Sequence, residues 1–146
     1  MSPPFILDTS ALLAHSLEEP GYDTVESILE RFPDEAHISA MTWLEIQIRL
    51  EEIHPNANAR REILACYAEL LDDPVPVTKE VVSAALDIRH QSSPRIPNAD
   101  AIIAATARLE GATLVHRDPH LSAIPQSLVK QVVLPPRIRT AQTKKR

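Results

Sequence analysis

Short, largely apolar runs alternate along this chain with longer segments in which apolar residues recur at helical spacing. The runs predict buried strands at residues 5–7, 36–38, 75–77, 113–115 and 131–134. The longer segments predict helices at residues 10–15, 23–31, 40–53, 57–71, 79–90 and 99–110. Short strands separated by helices favour an α/β fold, in which a parallel sheet is flanked by helices on both faces.

The chain of 146 residues is long enough for one domain, which we place at residues 1–134, followed by a basic tail at 135–146. The tail contains no acid and five basic residues: Arg137, Arg139, Lys144, Lys145 and Arg146. Without these five, ten basic residues face 20 acids, so the body is not a general nucleic-acid binder with a basic surface. The tail either forms a flexible, solvated end or contacts an RNA backbone.

Composition also bears on where the protein works. No apolar stretch approaches the ~20 residues needed to span a bilayer, and the first residues lack the pattern of a signal peptide. The single cysteine, Cys66, excludes an internal disulfide and fits a reducing compartment. We therefore expect a cytoplasmic protein.

Four acids stand where a carboxylate is unusual. Asp8 ends an apolar run, Glu45 interrupts an apolar helix pattern, Asp100 opens a helix of small and apolar residues, and Asp118 follows a predicted strand. Ligands of parallel sheets bind beyond the carboxyl ends of the strands, where Asp8 and Asp118 are predicted to lie. Four carboxylates in one site would repel one another, so their placement predicts a site for a divalent metal ion.

Three of these acids also have an ordinary structural interpretation. Asp8 can cap the helix that follows it, and Asp118 can start a turn with the next proline. Asp100 in a first helical turn is favoured by the helix dipole, with Asn98 as a possible cap.

Glu45 is harder to explain structurally. Helical spacing places Met41 and Ile48 on its face, and a buried carboxylate on an apolar face needs a metal ion or a partner. The alternative is an exposed Glu45 paired with Arg49, one helical turn later.

The segments that carry these acids resemble the PIN domain, most closely the VapC-type ribonuclease toxins of bacterial toxin–antitoxin pairs. LDTSALLA is similar to the first motif, SAMTWLEIQIRL to the second, and IPNADAIIAATARLEGATLVHRD to the third and fourth together. The resemblance extends in order over about residues 5–134, and its most specific part is DAIIAATA. It implies that Asp8, Glu45, Asp100 and Asp118 are the catalytic acids.

The resemblance implies an endoribonuclease that cleaves single-stranded RNA with Mg²⁺ or Mn²⁺. Asp8, Asp100 and Asp118 would bind the metal, while Glu45 would complete the site or orient the attacking water. Ser10 would supply a supporting hydroxyl behind these ligands. The family also implies an antitoxin protein as a partner and a homodimer.

Two features depart from the family pattern. His116 stands where the family often has Thr or Ser, so it either alters a supporting contact or places an imidazole beside the metal. The segment LEEIHP replaces the glycine that is common after the second acid. His116 and His120 are candidate proton carriers, although a single histidine usually has a structural role.

Two other functions are weighed against this one. In phosphatases of the haloacid dehalogenase type, an Asp after the first strand attacks phosphate, but a second Asp is expected where this chain has Ser10. A catalytically inactive PIN-like scaffold that binds RNA or a protein partner is the stronger alternative. A metal-dependent nuclease assay separates it from the enzyme.

Overall fold

A computed structural model describes residues 1–137, which form four strands and seven helices. In chain order the elements are β1 (Phe5–Leu7), α1 (Thr9–Ser16), α2 (Tyr22–Arg31), β2 (Ala36–His37), α3 (Ala40–Ile53), α4 (Ala57–Leu71), α5 (Lys79–Gln91), α6 (Asn98–Leu109), β3 (Thr113–His116), α7 (Pro119–Ser122) and β4 (Gln131–Val133). Within this part of the chain no helix is both long and apolar enough to cross a bilayer.

The four strands form one parallel sheet in the order β2-β1-β3-β4. Leu7 at the end of β1 is in register with Val115 of β3, and the next backbone N–H, that of Asp8, donates to the Val115 carbonyl at 3.0 Å. The two central strands therefore end side by side, at the same edge of the sheet.

Side chains of the sheet point alternately into two apolar cores. Phe5 and Leu7 face a cluster built with α1, α2, α3 and α4, whereas Ile6 faces a cluster built with α5 and α6. Both faces of the sheet are covered by helices, which explains why the strands are apolar on each side. The predicted α/β fold class is confirmed.

The predicted strand at residues 75–77 is wrong. Only Val75 pairs, through an isolated parallel bridge with Ser39, and Val77 is exposed. Pro74 and Pro76 lack the backbone N–H that strand pairing requires, so the ladder cannot continue on either side. The short helix α7 was not predicted, because four residues are too few to show a helical period.

Helix α6 ends in a glycine cap. Gly111 adopts a left-handed conformation with φ of 62°, and the Ala112 N–H donates to the Ala107 carbonyl at 2.8 Å. This is the hydrogen bond of a Schellman cap, in which glycine avoids the steric cost of a Cβ. The cap sets the turn that sends the chain from α6 directly into β3.

Candidate active site

The structure brings the four sequence-predicted acids to a single cavity of about 300 Å³. Asp8 follows β1 and Asp118 follows β3, so both lie at the edge where the central strands end. Asp100 comes from the first turn of α6, and Glu45 comes from the middle of α3. The rest of the cavity wall is formed by Thr9, Ser10, Leu13, Ile48 and Arg49.

Asp8 is almost completely buried and caps α1. One carboxylate oxygen, Oδ2, accepts hydrogen bonds from the Ser10 backbone N–H at 3.0 Å and from the Ser10 hydroxyl at 2.6 Å. Burial raises the pKa of Asp8 to about 6, against the opposing effect of these two hydrogen bonds. The capping and functional interpretations therefore apply to the same residue, since a cap uses one oxygen and leaves the other free for a ligand.

Asp100 is the least satisfied of the four acids. It is only 8% exposed, its carboxylate accepts no hydrogen bond from the described residues, and its ion-pair partner among them is the exposed ring of His120, 3.5 Å away. Asn98 does not cap α6, because the helix begins at Asn98 itself and the residue before it is Pro97. Burial, followed by the charges of Asp118, Asp8 and Glu45, raises the pKa of Asp100 to about 7. A buried carboxylate of this kind needs a cation to be stable in its ionised form.

Glu45 does not lie on the buried face of its helix, so the prediction of a buried carboxylate on an apolar face is wrong. The buried stripe of α3 is formed by Thr42, Ile46 and Leu50, and Ile48 is 46% exposed. Of the two apolar residues on which the prediction rested, Ile48 lines the cavity and Met41 packs, partly buried, against the core formed with α5 and α6.

The Glu45 carboxylate is nevertheless held in place. Its Oε1 accepts a hydrogen bond of 2.7 Å from the Thr9 hydroxyl, which belongs to α1. Arg49 pairs with Glu52 and not with Glu45. The structural alternative of a Glu45–Arg49 pair is therefore not what the structure shows.

Asp118 caps the short helix α7, and its Oδ1 accepts the His120 backbone N–H at 2.9 Å. The His120 ring lies close to two acids, with Nδ1 at 3.5 Å from both Asp118 Oδ1 and Asp100 Oδ2. One ligand atom each from Asp100, Asp118 and His120 all fall within 4.8 Å of one another.

His116 lies behind the cavity and does not line it. The Asp118 backbone N–H donates to His116 Nδ1 at 3.0 Å, so the ring hydrogen is on Nε2, which donates to Gln131 Oε1 at 2.8 Å. The ring is fully buried, and this burial lowers the pKa of His116. Of the two sequence-based alternatives, the structure therefore shows the supporting contact: a neutral imidazole fixes the backbone that carries Asp118.

Ser10 links two of the acidic segments. Its hydroxyl donates to Asp8 and accepts the Arg117 backbone N–H at 3.0 Å. The Arg117 side chain is buried and pairs with Glu19 at 2.6 Å, and Glu19 also accepts from Arg137 at 3.2 Å. These contacts tie together the segments that follow β1, β3 and β4.

Several contributors were missed by the sequence interpretation. Thr9 contacts Glu45 across 36 residues, and Glu19 contacts Arg117 across 98 residues. Arg49 lines the cavity. No local sequence pattern indicates such contacts. Of the five predicted RNA-binding residues of the tail, Arg137 is exposed beside Glu19. The other four, Arg139, Lys144, Lys145 and Arg146, lie outside the described residues.

The donor set fits a divalent cation. Carboxylate oxygens are the ligands that Mg²⁺ and Mn²⁺ prefer, and the mutual repulsion of Asp8, Asp100 and Asp118 would be relieved by a positive ion. The carboxylate of Asp100, which is buried and accepts no hydrogen bond from the described residues, is the observation that favours this fit most strongly.

Known structures with similar folds include several toxin proteins. The chain resembles VapBC2 of Rickettsia felis, solved with a promoter DNA fragment, at a TM-score of 0.72 and 19% identity over 90% of this chain and 98% of that one. A toxin–antitoxin complex of Klebsiella pneumoniae aligns at 0.63 and 22% identity, covering 88% of this chain and 95% of that one. The Mycobacterium tuberculosis VapC20 toxin, which cleaves the sarcin–ricin loop, aligns at 0.63 and 19% identity over 90% of this chain and 99% of that one.

A protein-family model identifies the family to which this chain belongs. No curated protein matches the chain, whereas the family model described as PIN domain matches residues 5–126. That range contains all four acids and most of the fold described above. This chain therefore belongs to the PIN domain family.

Proposed function

We propose that this protein is a divalent-metal-dependent endoribonuclease that cleaves single-stranded RNA, and that it is the toxin of a toxin–antitoxin pair. The observation that carries the proposal is the convergence of Asp8, Glu45, Asp100 and Asp118 on one cavity in a PIN domain. These four acids come from four separate segments of the chain, and no common structural role explains why they meet in one cavity. Their arrangement suits a site that binds a cation together with a phosphate.

Each acid has a distinct position in the proposed chemistry. Asp8, Asp100 and Asp118 would hold Mg²⁺ or Mn²⁺, which when bound supplies a water of lowered pKa and positive charge beside the phosphodiester. Glu45 is oriented by the hydrogen bond from Thr9, as is needed for a carboxylate that positions the attacking water and accepts its proton. Ser10 and His116 keep Asp8 and Asp118 in place from behind.

The cavity wall also suggests how RNA is held. Arg49 is its cationic residue and can approach a phosphate, while Leu13 and Ile48 offer apolar surface to a base. An RNA substrate is further supported by the VapC20 relative, which cleaves an RNA loop. The basic residues of the tail would add contacts to the RNA backbone.

The proposal includes a protein partner. The Klebsiella relative was solved as a toxin–antitoxin complex, which supports an antitoxin for this chain as well. A homodimer is proposed on the family resemblance alone.

A cleavage assay on single-stranded RNA tests the function. We expect cleavage by the wild type with Mn²⁺ or Mg²⁺, no cleavage in EDTA, and a loss of at least about 100-fold in rate for Asp8→Asn. Asparagine is as good a helix cap as aspartate, so the variant should fold, and exposed Asp34→Asn is the matched control.

Two results would contradict this proposal. Full activity of Asp8→Asn would show that the acids are not the catalytic groups. A wild type that binds RNA but cuts none with either ion would favour the inactive scaffold.

A further inference from the structure

His120 lies beside two of the proposed metal ligands, in a position that the proposed chemistry leaves without a role. Its Nδ1 is 3.5 Å from Asp100 Oδ2 and 3.5 Å from Asp118 Oδ1. Atoms that bind one octahedral ion at ~2.1 Å lie roughly 3 Å apart. The observed spacing is therefore close to that of three ligands sharing an ion.

We propose that His120 is a nitrogen ligand of the bound ion, and that it makes the site prefer Mn²⁺ over Mg²⁺. The inference rests on the proposed function, because it deepens the assignment of the same metal site. It adds a nitrogen ligand, from His120, to the carboxylate ligands of the proposed site, next to Asp100 and Asp118.

The surroundings of Asp100 support a cation at this place. Its side chain is only 12% exposed and accepts no hydrogen bond from the described residues, although it lines the cavity. Such a group is costly when ionised unless a positive charge stands next to it. The environment of Asp100 thus favours a cation beside its carboxylate, where the three ligand atoms lie close together.

The imidazole is also well placed to complete the site. The His120 backbone N–H is bound to Asp118 Oδ1 at 2.9 Å, which keeps the ring near that carboxylate. The ring is 60% exposed, so small rotations toward an ion meet little resistance. No hydrogen bond between side chains competes for Nδ1 among the described residues.

The preference for Mn²⁺ follows from ligand chemistry. Mg²⁺ binds oxygen almost exclusively and keeps several waters, whereas affinity for nitrogen ligands rises along the first-row transition metals. Exchanging an oxygen ligand for an imidazole therefore costs Mg²⁺ more than it costs Mn²⁺.

A rival explanation gives His120 the opposite effect. A protonated His120 would be a cation that neutralises Asp100 and Asp118 in the metal-free protein, and a metal ion would have to displace it. Removing the ring would then raise the affinity for both ions alike. The two explanations predict opposite signs for the same substitution.

The test measures Mn²⁺ binding by electron paramagnetic resonance and Mg²⁺ binding by competition, using the full chain. His120→Gln is compared with the wild type and with His90→Gln, an exposed histidine on α5. We expect His120→Gln to weaken Mn²⁺ binding by about tenfold or more, as losses around metal sites usually do. Mg²⁺ binding should change by less than about threefold, so the ratio of the two affinities should fall.

A spectroscopic measurement on the same samples identifies the ligand itself. Electron spin echo modulation from a directly bound nitrogen should appear with Mn²⁺ in the wild type and in His90→Gln, and should vanish in His120→Gln. Because His120 is exposed, the variant should melt at the wild-type temperature in EDTA.

Unchanged or increased Mn²⁺ affinity in His120→Gln, or the absence of nitrogen modulation in the wild type, overturns the inference. These results leave the ribonuclease proposal standing, because carboxylates alone can hold the ion. Conversely, Mn²⁺ bound through His120 in a protein that cuts no RNA overturns the proposed function alone.

Discussion

Replacing Asp100 with asparagine should stabilise the metal-free protein at alkaline pH, even though it removes a proposed metal ligand. Burial and the charges of Asp118, Asp8 and Glu45 raise the pKa of Asp100 from 3.8 to about 7. The folded protein therefore binds this proton more tightly than the unfolded chain does. Ionisation of Asp100 therefore lowers the free energy of unfolding of the wild type. This loss is absent below about pH 4, grows as the pH rises, and is complete above about pH 7.

The size of the effect follows from these values. A rise of about three pKa units corresponds to a penalty of at most ~4 kcal/mol for the ionised Asp100. Asparagine removes this penalty but leaves a buried amide without partners, which costs about 1–3 kcal/mol. The net stabilisation of about 1–3 kcal/mol should raise Tm by roughly 3–9 °C in a domain of this size.

Thermal unfolding followed by circular dichroism, in EDTA and from about pH 5 to about pH 8, measures this difference. The matched control is Asp23→Asn, which changes an exposed acid in the first turn of α2 and should destabilise by less than about 1 kcal/mol. Saturating Mn²⁺ should reverse the order, because an ion at about 1,000 times its Kd stabilises only the protein that binds it, by ~4.1 kcal/mol.

One result would refute this reasoning. If Asp100→Asn melted below the wild type in EDTA by the same amount at every pH, the ionised carboxylate would carry no penalty. The principal indication of a cation at the site would then be lost.

Three further predictions concern the groups around the acids. Glu19→Gln should lower the free energy of unfolding by about 3 kcal/mol, because it leaves the buried Arg117 without its counter-charge; chemical denaturation measures this. Thr9→Val should lower kcat for RNA cleavage more than it raises KM, because Glu45 loses the hydrogen bond that orients it. Deleting residues 138–146 should weaken RNA binding and flatten its dependence on salt, measured by fluorescence anisotropy across a salt series.

Each of these has a matched comparison. Glu18→Gln, at an exposed neighbouring position, should leave stability almost unchanged, and an equal loss in both variants would argue against the ion pair. Thr9→Ser keeps the hydroxyl and should restore kcat; if it behaves like Thr9→Val, the effect is one of packing. Unchanged RNA binding after the deletion would mean that the tail is only a solvated end.

The sheet and most helices could be predicted because their sequence signals are local. Buried parallel strands must be apolar on both faces, so β1 and β3 stand out, and the acids that follow them necessarily share one edge of the sheet. Gly111 marks the end of α6 for an equally local reason, its left-handed backbone. The strand expected at residues 75–77 was wrong because the apolar pattern does not register the missing N–H groups of its prolines.

The details of the site depend on contacts between distant residues, which no local pattern encodes. The apolar face assigned to Glu45 is not a core face, since Ile48 is exposed and lines the cavity. His116 could be placed behind Asp118 only once its two ring nitrogens had identified partners. The roles of the four acids in metal binding and catalysis stay predictions.

The most direct test of the central claim is the position of the ion itself. Crystals soaked in Mn²⁺ should show one anomalous peak in the cavity, within ~2.3 Å of carboxylate oxygens from at least two of Asp8, Asp100 and Asp118. No peak in this cavity under saturating Mn²⁺, or a peak at an unrelated surface position alone, would contradict the claim that these acids form a metal centre.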